Sequence, residues 1–445
     1  MEVVRAFLIC IALLTTKGLC WSSTSSFTQS MRTRSTINSH TTLHHAPAKF
    51  KSTSPRNTLL SMKIKVGLVG LPNVGKSTLF NAIAQKAIAD AKNFPFCTIE
   101  PNITPVPIPD ANLEKLAKLA KSKKALPASI FLIDVAGLVK GASRGEGLGN
   151  KFLATIRECD LIIHVVRNYI DEDVIHVDGK VDPVADAEVV NLELLLADLA
   201  HVQRRLERTS CIGEERDVLV KLEKGLENGL PARTMGLSFD ECFAIKSMGL
   251  LTLKPVIYAF NLDEVDFALN RDESMKLAEC YMKQIQYCDL ETDSCMVVSA
   301  KLESEIGSLS AEERHEYLES MGVECGDSDD ASGTTYADQL SYHALPLRVK
   351  DVLNFGIVYT GPGVPSERSQ TTKTHILGAN GMTVLDLAGK LHGDIRKGFM
   401  NAEAIEAREL VQYDNYNAAK ENGKIRMEGK EYLLRGEDVV LIKWK

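Results

Sequence analysis

The chain has 445 residues, 44% of them apolar and 25% charged, with a net charge of −7. That length accommodates two or three domains, and the composition excludes a fibre or a repeat array. The ten cysteines are scattered and none forms a Cys-x-x-Cys, which argues against a disulfide framework or a structural zinc site.

Charge is unevenly spread. Residues 1–61 hold seven Lys/Arg against one acid, Glu2, so the remainder carries about −13. An acidic body argues against broad DNA or other non-specific nucleic-acid binding. It leaves room for a local basic patch that docks on a large RNA-containing particle. Ala6 to Leu14 is an apolar run too short to span a bilayer and shaped like a signal-peptide core. The next forty residues are rich in Ser, Thr and His and free of acids, which prevents formation of a packed core and reads as a transit peptide. Signal plus transit segment is similar to the bipartite presequence of algae with secondary plastids. A plastid address is therefore expected, with mitochondrion or cytoplasm as alternatives. After presequence removal no membrane association is expected, and folding is predicted to start near Met62.

Lys65–Val69 reads as a strand that runs into Gly70-x-x-x-x-Gly75-Lys76-Ser77-Thr78, and a helix follows from Leu79. Strand, glycine loop and helix start form the context of a phosphate-binding loop. Backbone amides of Asn73, Val74, Gly75, Lys76, Ser77 and Thr78 cradle phosphates there. Lys76 reaches the β- and γ-phosphates and Ser77 ligates Mg²⁺. A second strand, Ser129–Asp134, ends in Asp134-Val-Ala-Gly137. This is a GTPase-type switch, with Asp134 on the magnesium side and the Gly137 backbone facing the γ-phosphate. Thr98 is read as a further magnesium and γ-phosphate contact. The glycine-rich Gly141–Gly149 stretch is read as a nucleotide-ordered loop.

Leu138 stands where many GTPases carry the Gln that orients the attacking water. His176 is the nearest candidate replacement, although a histidine after two aliphatics is more often structural. Asn73 has two readings: a ligand for K⁺ standing in for an arginine finger, or a brace of the loop. The strand Lys254–Phe260 ends in Asn261-Leu262-Asp263-Glu264, whereas guanine readers carry Asn-Lys-x-Asp. Glu264 is a methylene longer than Asp and Leu262 lacks the lysine stem, so the guanine fit is damaged and adenine is no longer excluded. Asn261 is read as a contact to the base edge. Ser299-Ala300-Lys301 is expected to supply the last backbone contacts to the base.

Leu192, Leu195, Leu199, Val202 and Leu206 form a 3-4-3-4 seam, with a returning seam at Val218, Leu222, Leu226 and Leu230. Residues 186–248 are read as a helical insertion, either a surface hairpin or a protruding arm. A polar helix is expected over Glu303–Glu319. Beyond residue 351, strands at Phe355–Tyr359, Lys373–Ile376 and Val439–Trp444 and a helix at Val384–Leu391 predict a small mixed α/β recognition domain. The scheme is then a nucleotide domain over 62–185 and 249–350, an insertion over 186–248 and a C-terminal domain over 351–445.

The chain resembles the Obg-like ATPases, the YchF family. The resemblance rests on Gly70–Thr78, Asn93-Phe-Pro-Phe-Cys-Thr-Ile-Glu-Pro-Asn102, Asp134–Leu138, Gly145-Glu-Gly-Leu-Gly-Asn-Lys-Phe-Leu153 and His176-Val-Asp-Gly-Lys-Val-Asp-Pro183. It spans roughly 62–445. It implies an α/β P-loop NTPase domain of GTPase type, a coiled-coil insertion and a C-terminal β-grasp TGS domain. It also implies ATP preferred over GTP, Mg²⁺, and a catalytic role for His176. The implied partner is the ribosome, its large subunit expected, and the implied role lies in translation or stress response. A monomer is expected. The segment 358–375 departs from the family pattern and puts the contacts of the C-terminal domain in question. A GTP-preferring assembly or translation factor, and a nucleotide-responsive module with negligible turnover, are the rival functions.

Overall fold

The computed structural model describes residues 63–91, 102–135, 148–171, 180–307, 309–322, 340–361, 371–378 and 381–445. Residues 1–61, Thr98, Gly137, Leu138, the loop glycines Gly141, Gly145 and Gly147, His176 and the segment 362–370 lie outside them.

The first sheet is built from β1 (Lys65–Val69), β2 (Ile103–Pro107), β4 (Ser129–Asp134), β5 (Leu161–Arg167), β6 (Val256–Asn261) and β7 (Ser294–Val298). Its order is β2-β4-β1-β5-β6-β7. All pairings are parallel except β2 with β4, which is antiparallel. Pro105 and Pro107 are compatible with β2 because it is an edge strand, where a missing N–H need not break a ladder. β5 and β6 are buried along their whole length, as expected for interior strands of a parallel sheet. Strand order reverses at β1, between β4 and β5. In open parallel sheets that is where the C-terminal tips leave a crevice for ligands.

Helix α1 (Lys76–Ala91) follows β1, and α2 (Ala111–Leu119) is capped by the Asp110 carboxylate, which accepts from Asn112 N. Helix α3 (Leu148–Arg157) precedes β5. The insertion opens with α4 (Pro183–Leu206), where Asp182 caps and Pro183 occupies the first turn. It returns through α5 (Glu214–Glu227) and α6 (Phe239–Ala244), the latter started by a Ser238/Glu241 capping box. Ala187, Val190, Leu194 and Ala197 of α4 pack into the nucleotide-domain core, whereas Leu195 and Val202 pack with Val218, Leu222 and Leu226. The base of α4 is therefore anchored, and the insertion has a small core of its own. Leu230 does not join the predicted seam. It is 50% exposed, because α5 stops at Glu227 and Gly229 turns the chain at φ +77.

After β6 come α7 (Glu264–Leu269) and α8 (Arg271–Gln284). The polar helix expected over Glu303–Glu319 is two helices, α9 (Ala300–Gly307) and α10 (Ala311–Ser320). Ser310 divides them: its side chain accepts from Glu313 N and the Glu313 carboxylate accepts from Ser310 N, which starts a new helix rather than continuing the old one. Helix α11 (Ser341–Leu353) then leads into a second sheet.

That sheet contains β8 (Gly356–Thr360), β9 (Thr371–Leu377), β10 (Phe399–Glu406), β11 (Arg426–Glu428) and β12 (Asp438–Trp444), ordered β11-β10-β12-β8-β9. Its sixth strand is β3 (Lys124–Leu126), contributed from far upstream and paired in parallel with β9. Ser122 and Thr372 share a hydroxyl hydrogen bond of 2.8 Å, and Ala128 N donates to Thr374 Oγ1. Ile357, Tyr359, Ile405, Leu410 and Val439 belong to the same apolar cluster as the first sheet. The two sheets therefore share a core. Among the described residues no helix is long and apolar enough to cross a membrane.

Glu303 links α9 to α11. It is 6% exposed, and its carboxylate accepts from Ser341 Oγ (2.5 Å) and Ser341 N (3.1 Å). Burial pushes its carboxyl up from 4.5 to about 7. A raised acid favours the folded state while protonated, so stability is expected to fall as pH rises from about 4.5 to about 7. Glu303→Gln should remove up to about 2–3 kcal/mol of that decline. Chemical denaturation at pH 5 and pH 8 measures it; an unchanged slope would contradict the assignment.

Candidate functional site

The phosphate loop links β1 to α1. Gly70 (φ +155) passes so close to the Val165 carbonyl, and Gly75 (φ +92) so close to the Asn261 amide, that a Cβ at either would collide. Asn73 lies at φ +60, a left-handed conformation that Asn tolerates better than most residues. Leu79 N donates to Gly75 O at 2.9 Å and closes the first turn of α1. The amides at the start of this helix are then open to an anion.

Lys76 is 6% exposed and its ammonium donates to Leu71 O at 2.6 Å, across the mouth of the loop. Burial pulls its pKa down to about 8, against the attraction of Asp134. Beneath it, His164 of β5 is buried beside the Tyr258 ring at 5.4 Å. Burial, with the Lys76 charge, holds His164 down at about 3, so it is neutral.

Ser77 Oγ donates to Asp134 Oδ2 at 3.1 Å. The other oxygen, Oδ1, is buried and has no hydrogen-bond partner among the described residues. Burial raises the Asp134 carboxyl, which an added cation would reverse. A hydroxyl, a carboxylate with an orphaned oxygen and adjacent loop amides fit a hard cation that keeps waters and shares phosphate oxygens. Among the described residues no group of three or more His, Cys, Asp or Glu is placed to hold a metal. Mg²⁺ would rest on Ser77 and Asp134 together with the phosphates.

Beside the loop, the C-terminal tips of β5 and β6 and the start of α9 enclose a cavity of ≈ 590 Å³. Gly75, Thr78, Asn261, Leu262, Glu264 and Ala300 line it, as does Lys301. Asn261 is 3% exposed; its Nδ2 donates to Val74 O (3.0 Å) and its Oδ1 accepts from Ala300 N (2.9 Å). Its first task is thus to lock the phosphate loop to the base corner, leaving one Nδ2 hydrogen for a base. Leu262 is buried and its N–H donates to Val298 O at 2.8 Å. Ser299, read from the sequence as a base contact, is fully buried at the turn from β7 into α9, and the cavity lining includes Ala300 and Lys301 but not Ser299. Its hydroxyl has no hydrogen-bond partner among the described residues.

The sequence pattern marks no strand at β5, so the residues beyond its tip escaped assignment. Arg167, 1% exposed, donates to the carbonyls of Tyr169 (3.2 Å) and Asp171 (3.1 Å), and its guanidinium lies 4.6 Å from the Tyr169 ring centroid. It shapes the segment through which Tyr169 and Asp171 reach the cavity. The signal was available: Leu161–Val166 is an apolar run interrupted only by His164, and it leads into Arg-Asn-Tyr-Ile-Asp at a strand tip. A second cavity, of ≈ 460 Å³, opens at the N-terminal ends of β5, β6 and β7 beside Lys254 and Arg348, away from the phosphate loop.

A family model described as 50S ribosome-binding GTPase matches residues 65–196, and one described as a YchF-GTPase C-terminal protein of unknown function matches 375–445. The ribosome-binding ATPase YchF of Bacillus subtilis is 41% identical over 387 residues, covering 85% of this chain and 98% of that relative. Obg-like ATPase 1 of Pongo abelii is 33% identical, covering 86% and 92%. The solved Schizosaccharomyces pombe YchF GTPase superposes with a TM-score of 0.71 at 30% identity, over 86% of this chain and 98% of that one. With identity of this level along nearly the whole length of these relatives, and with the phosphate loop, switch aspartate and Asn-Leu-x-Glu corner in one crevice, the chain belongs to the YchF family of Obg-like ATPases.

Proposed function

We propose that the protein is a ribosome-associated ATPase that binds and hydrolyses ATP with Mg²⁺, uses GTP less well, and regulates translation or a stress response. One observation carries the hydrolase reading: Lys76, Ser77 and Asp134 converge at the phosphate loop, with Asp134 Oδ1 left orphaned where a cation would sit. Lys76 would exchange the Leu71 carbonyl for phosphate oxygens, and the loop amides would hold the triphosphate in line. Bound Mg²⁺ would neutralise charge building on those oxygens. Asn261 keeps the loop and base corner in register. Thr98 and the Gly137 backbone complete the γ-phosphate contacts, and His176 positions the attacking water in place of the missing Gln at Leu138. Asn73 ligates K⁺ or braces the loop; turnover in K⁺ against Na⁺ separates the two roles.

The ATP preference is supported by Glu264 and Leu262 in the base corner and by the names of the Bacillus subtilis and Pongo abelii relatives. The large ribosomal subunit as partner is supported by the family model described as 50S ribosome-binding. That description, with the GTPase title of the fission-yeast structure, keeps a GTP-preferring factor as the second reading. Titrations with ATP and GTP in Mg²⁺ separate the two, and a clear preference for GTP rejects the first. His176→Ala is expected to lower turnover by about tenfold or more with nucleotide affinity little changed. Robust, unaltered turnover would remove His176 from the mechanism. Undetectable turnover in the intact protein, with ribosomes and K⁺ present, would favour a nucleotide-responsive binding module.

The proposed scheme assigns residues 62–185 and 249–350 to the nucleotide domain, 186–248 to a coiled-coil insertion and 351–445 to a TGS domain of β-grasp type, in a monomer. The α4–α5 pair and the second sheet support it. Residues 1–61 are proposed as a plastid presequence on their composition, with imaging of a fusion of that segment as the test.

A further inference from the structure

The base corner contains an ion pair at its rim. Glu264 is the first residue of α7, after the cap Asp263, whose carboxylate accepts from Asp266 N at 2.8 Å. Lys301 is the second residue of α9. Their side chains meet with Nζ to Oε1 at 2.5 Å, and both line the cavity. The Glu264 side chain is 19% exposed and the Lys301 side chain 67%. The carboxylate is thus tucked into the wall, with the ammonium over it from the solvent side. Glu264 in turn raises the Lys301 ammonium above its ordinary value, first through their hydrogen bond.

The two purines differ in what they offer a carboxylate at this position. Guanine offers two donors, its ring N1–H and its 2-amino group, and an unpaired carboxylate accepts from both. Adenine offers an acceptor at N1 and no 2-amino group, so an unpaired carboxylate faces a lone pair. A lysine on the carboxylate changes both encounters. It engages Oε1, which breaks the two-oxygen pairing guanine requires, and it offsets the charge that would repel the adenine lone pair.

We propose that Lys301 is a specificity-determining residue: by holding the Glu264 carboxylate in an ion pair at the cavity rim, it withholds from guanine the acceptor it needs and makes the corner compatible with adenine. The inference rests on the ATP reading above and deepens it. Exposed pairs of this kind contribute little to folding, so the signature of the pair is base selection rather than stability.

The test is calorimetric titration of ATP and of GTP, with Mg²⁺, into the full chain. The proteins are the native one, Lys301→Ala, Lys301→Arg, and Lys301→Ala combined with Glu264→Gln. For Lys301→Ala the ratio Kd(GTP)/Kd(ATP) is expected to fall by about tenfold or more, mainly because GTP binds tighter. Lys301→Arg keeps the charge and should keep the native ratio. The double variant should lose the gain, since no carboxylate remains to be freed. If the native protein prefers ATP and Lys301→Ala leaves the ratio unmoved, the inference fails while the ATP reading stands. A gain for GTP that persists in the double variant also overturns it. If the native protein prefers GTP, the ATP reading falls and the inference with it.

Discussion

Lys76→Met is expected to weaken binding of ATP and GTP by about a hundredfold or more and yet to melt at a higher temperature than the native protein. The loss follows from geometry: Lys76 supplies the charge aimed at the phosphates, and a methionine of similar length supplies none. The gain follows from linkage. Burial lowers the Lys76 pKa from 10.5 to about 8, so folding disfavours its charged form. That cost is present in full below pH 8 and fades between about 8 and 10.5. Removing it, less about 1 kcal/mol for the lost hydrogen bond to Leu71 O, leaves a net gain of about 1–2 kcal/mol at pH 7. The gain should vanish near pH 10.5. Thermal melts at pH 7 and 10 alongside nucleotide titrations check both halves, and a variant that melts lower at pH 7 would contradict the argument. A bound triphosphate restores the lysine's charge. Above pH 8 native binding should therefore take up a proton and weaken by up to about tenfold per pH unit, measurable by calorimetry in buffers of different ionisation enthalpy.

The largest effect on stability is expected at Arg233, in a short turn (Ala232–Thr234) of the insertion. Its Nε and Nη2 donate to Asp293 Oδ2 at 3.1 and 2.8 Å, and Nη2 also donates to Tyr287 O at 2.9 Å. Asp293 Oδ1 accepts from Val256 N at 3.0 Å, at the entry to β6. Arg233 is 4% and Asp293 8% exposed, so the pair pins the insertion to the sheet from inside. Arg233→Met strands a buried carboxylate and should cost about 3–5 kcal/mol, a large share of the 5–15 kcal/mol typical of a domain. Burial already raises the Asp293 carboxyl, and loss of the arginine should raise it further. The variant is therefore least impaired at low pH, where Asp293 takes a proton, and most impaired at neutral pH. Adding Asp293→Asn should recover much of the loss, because no buried charge remains while the amide oxygen can still accept from Val256 N. Urea denaturation of the three proteins at pH 5 and 7.5 decides it; a single variant within 1 kcal/mol of native would show the pair to be dispensable.

Local sequence signals were legible wherever one stretch contained its own cause. The Lys65–Val69 and Ser129–Asp134 strands and the Val384–Leu391 helix lie where periodicity and caps put them. The phosphate loop is contiguous in sequence, so its residues arrive together. Signals failed where the cause was distant. β5 is buried along its whole length because it is covered on both faces, which removes the alternation that marks a strand. Nor did the sequence show that the turn between β7 and α9 buries Ser299 completely.

Sequence alone determined the class of chemistry, because the glycine loop, Lys76, Ser77 and Asp134 are recognisable by type and spacing. It also determined that the guanine reader is altered, because Leu262 and Glu264 replace residues with defined roles. Tertiary structure decided how those parts act. Asn261 is a latch between the phosphate loop and the base corner, Asp134 keeps an orphaned oxygen, and Glu264 meets Lys301. It also decided that Lys124–Leu126 completes the distant second sheet. The latch, the ion pair and the added strand each join residues far apart in the chain, and only folding brings such groups within hydrogen-bonding distance.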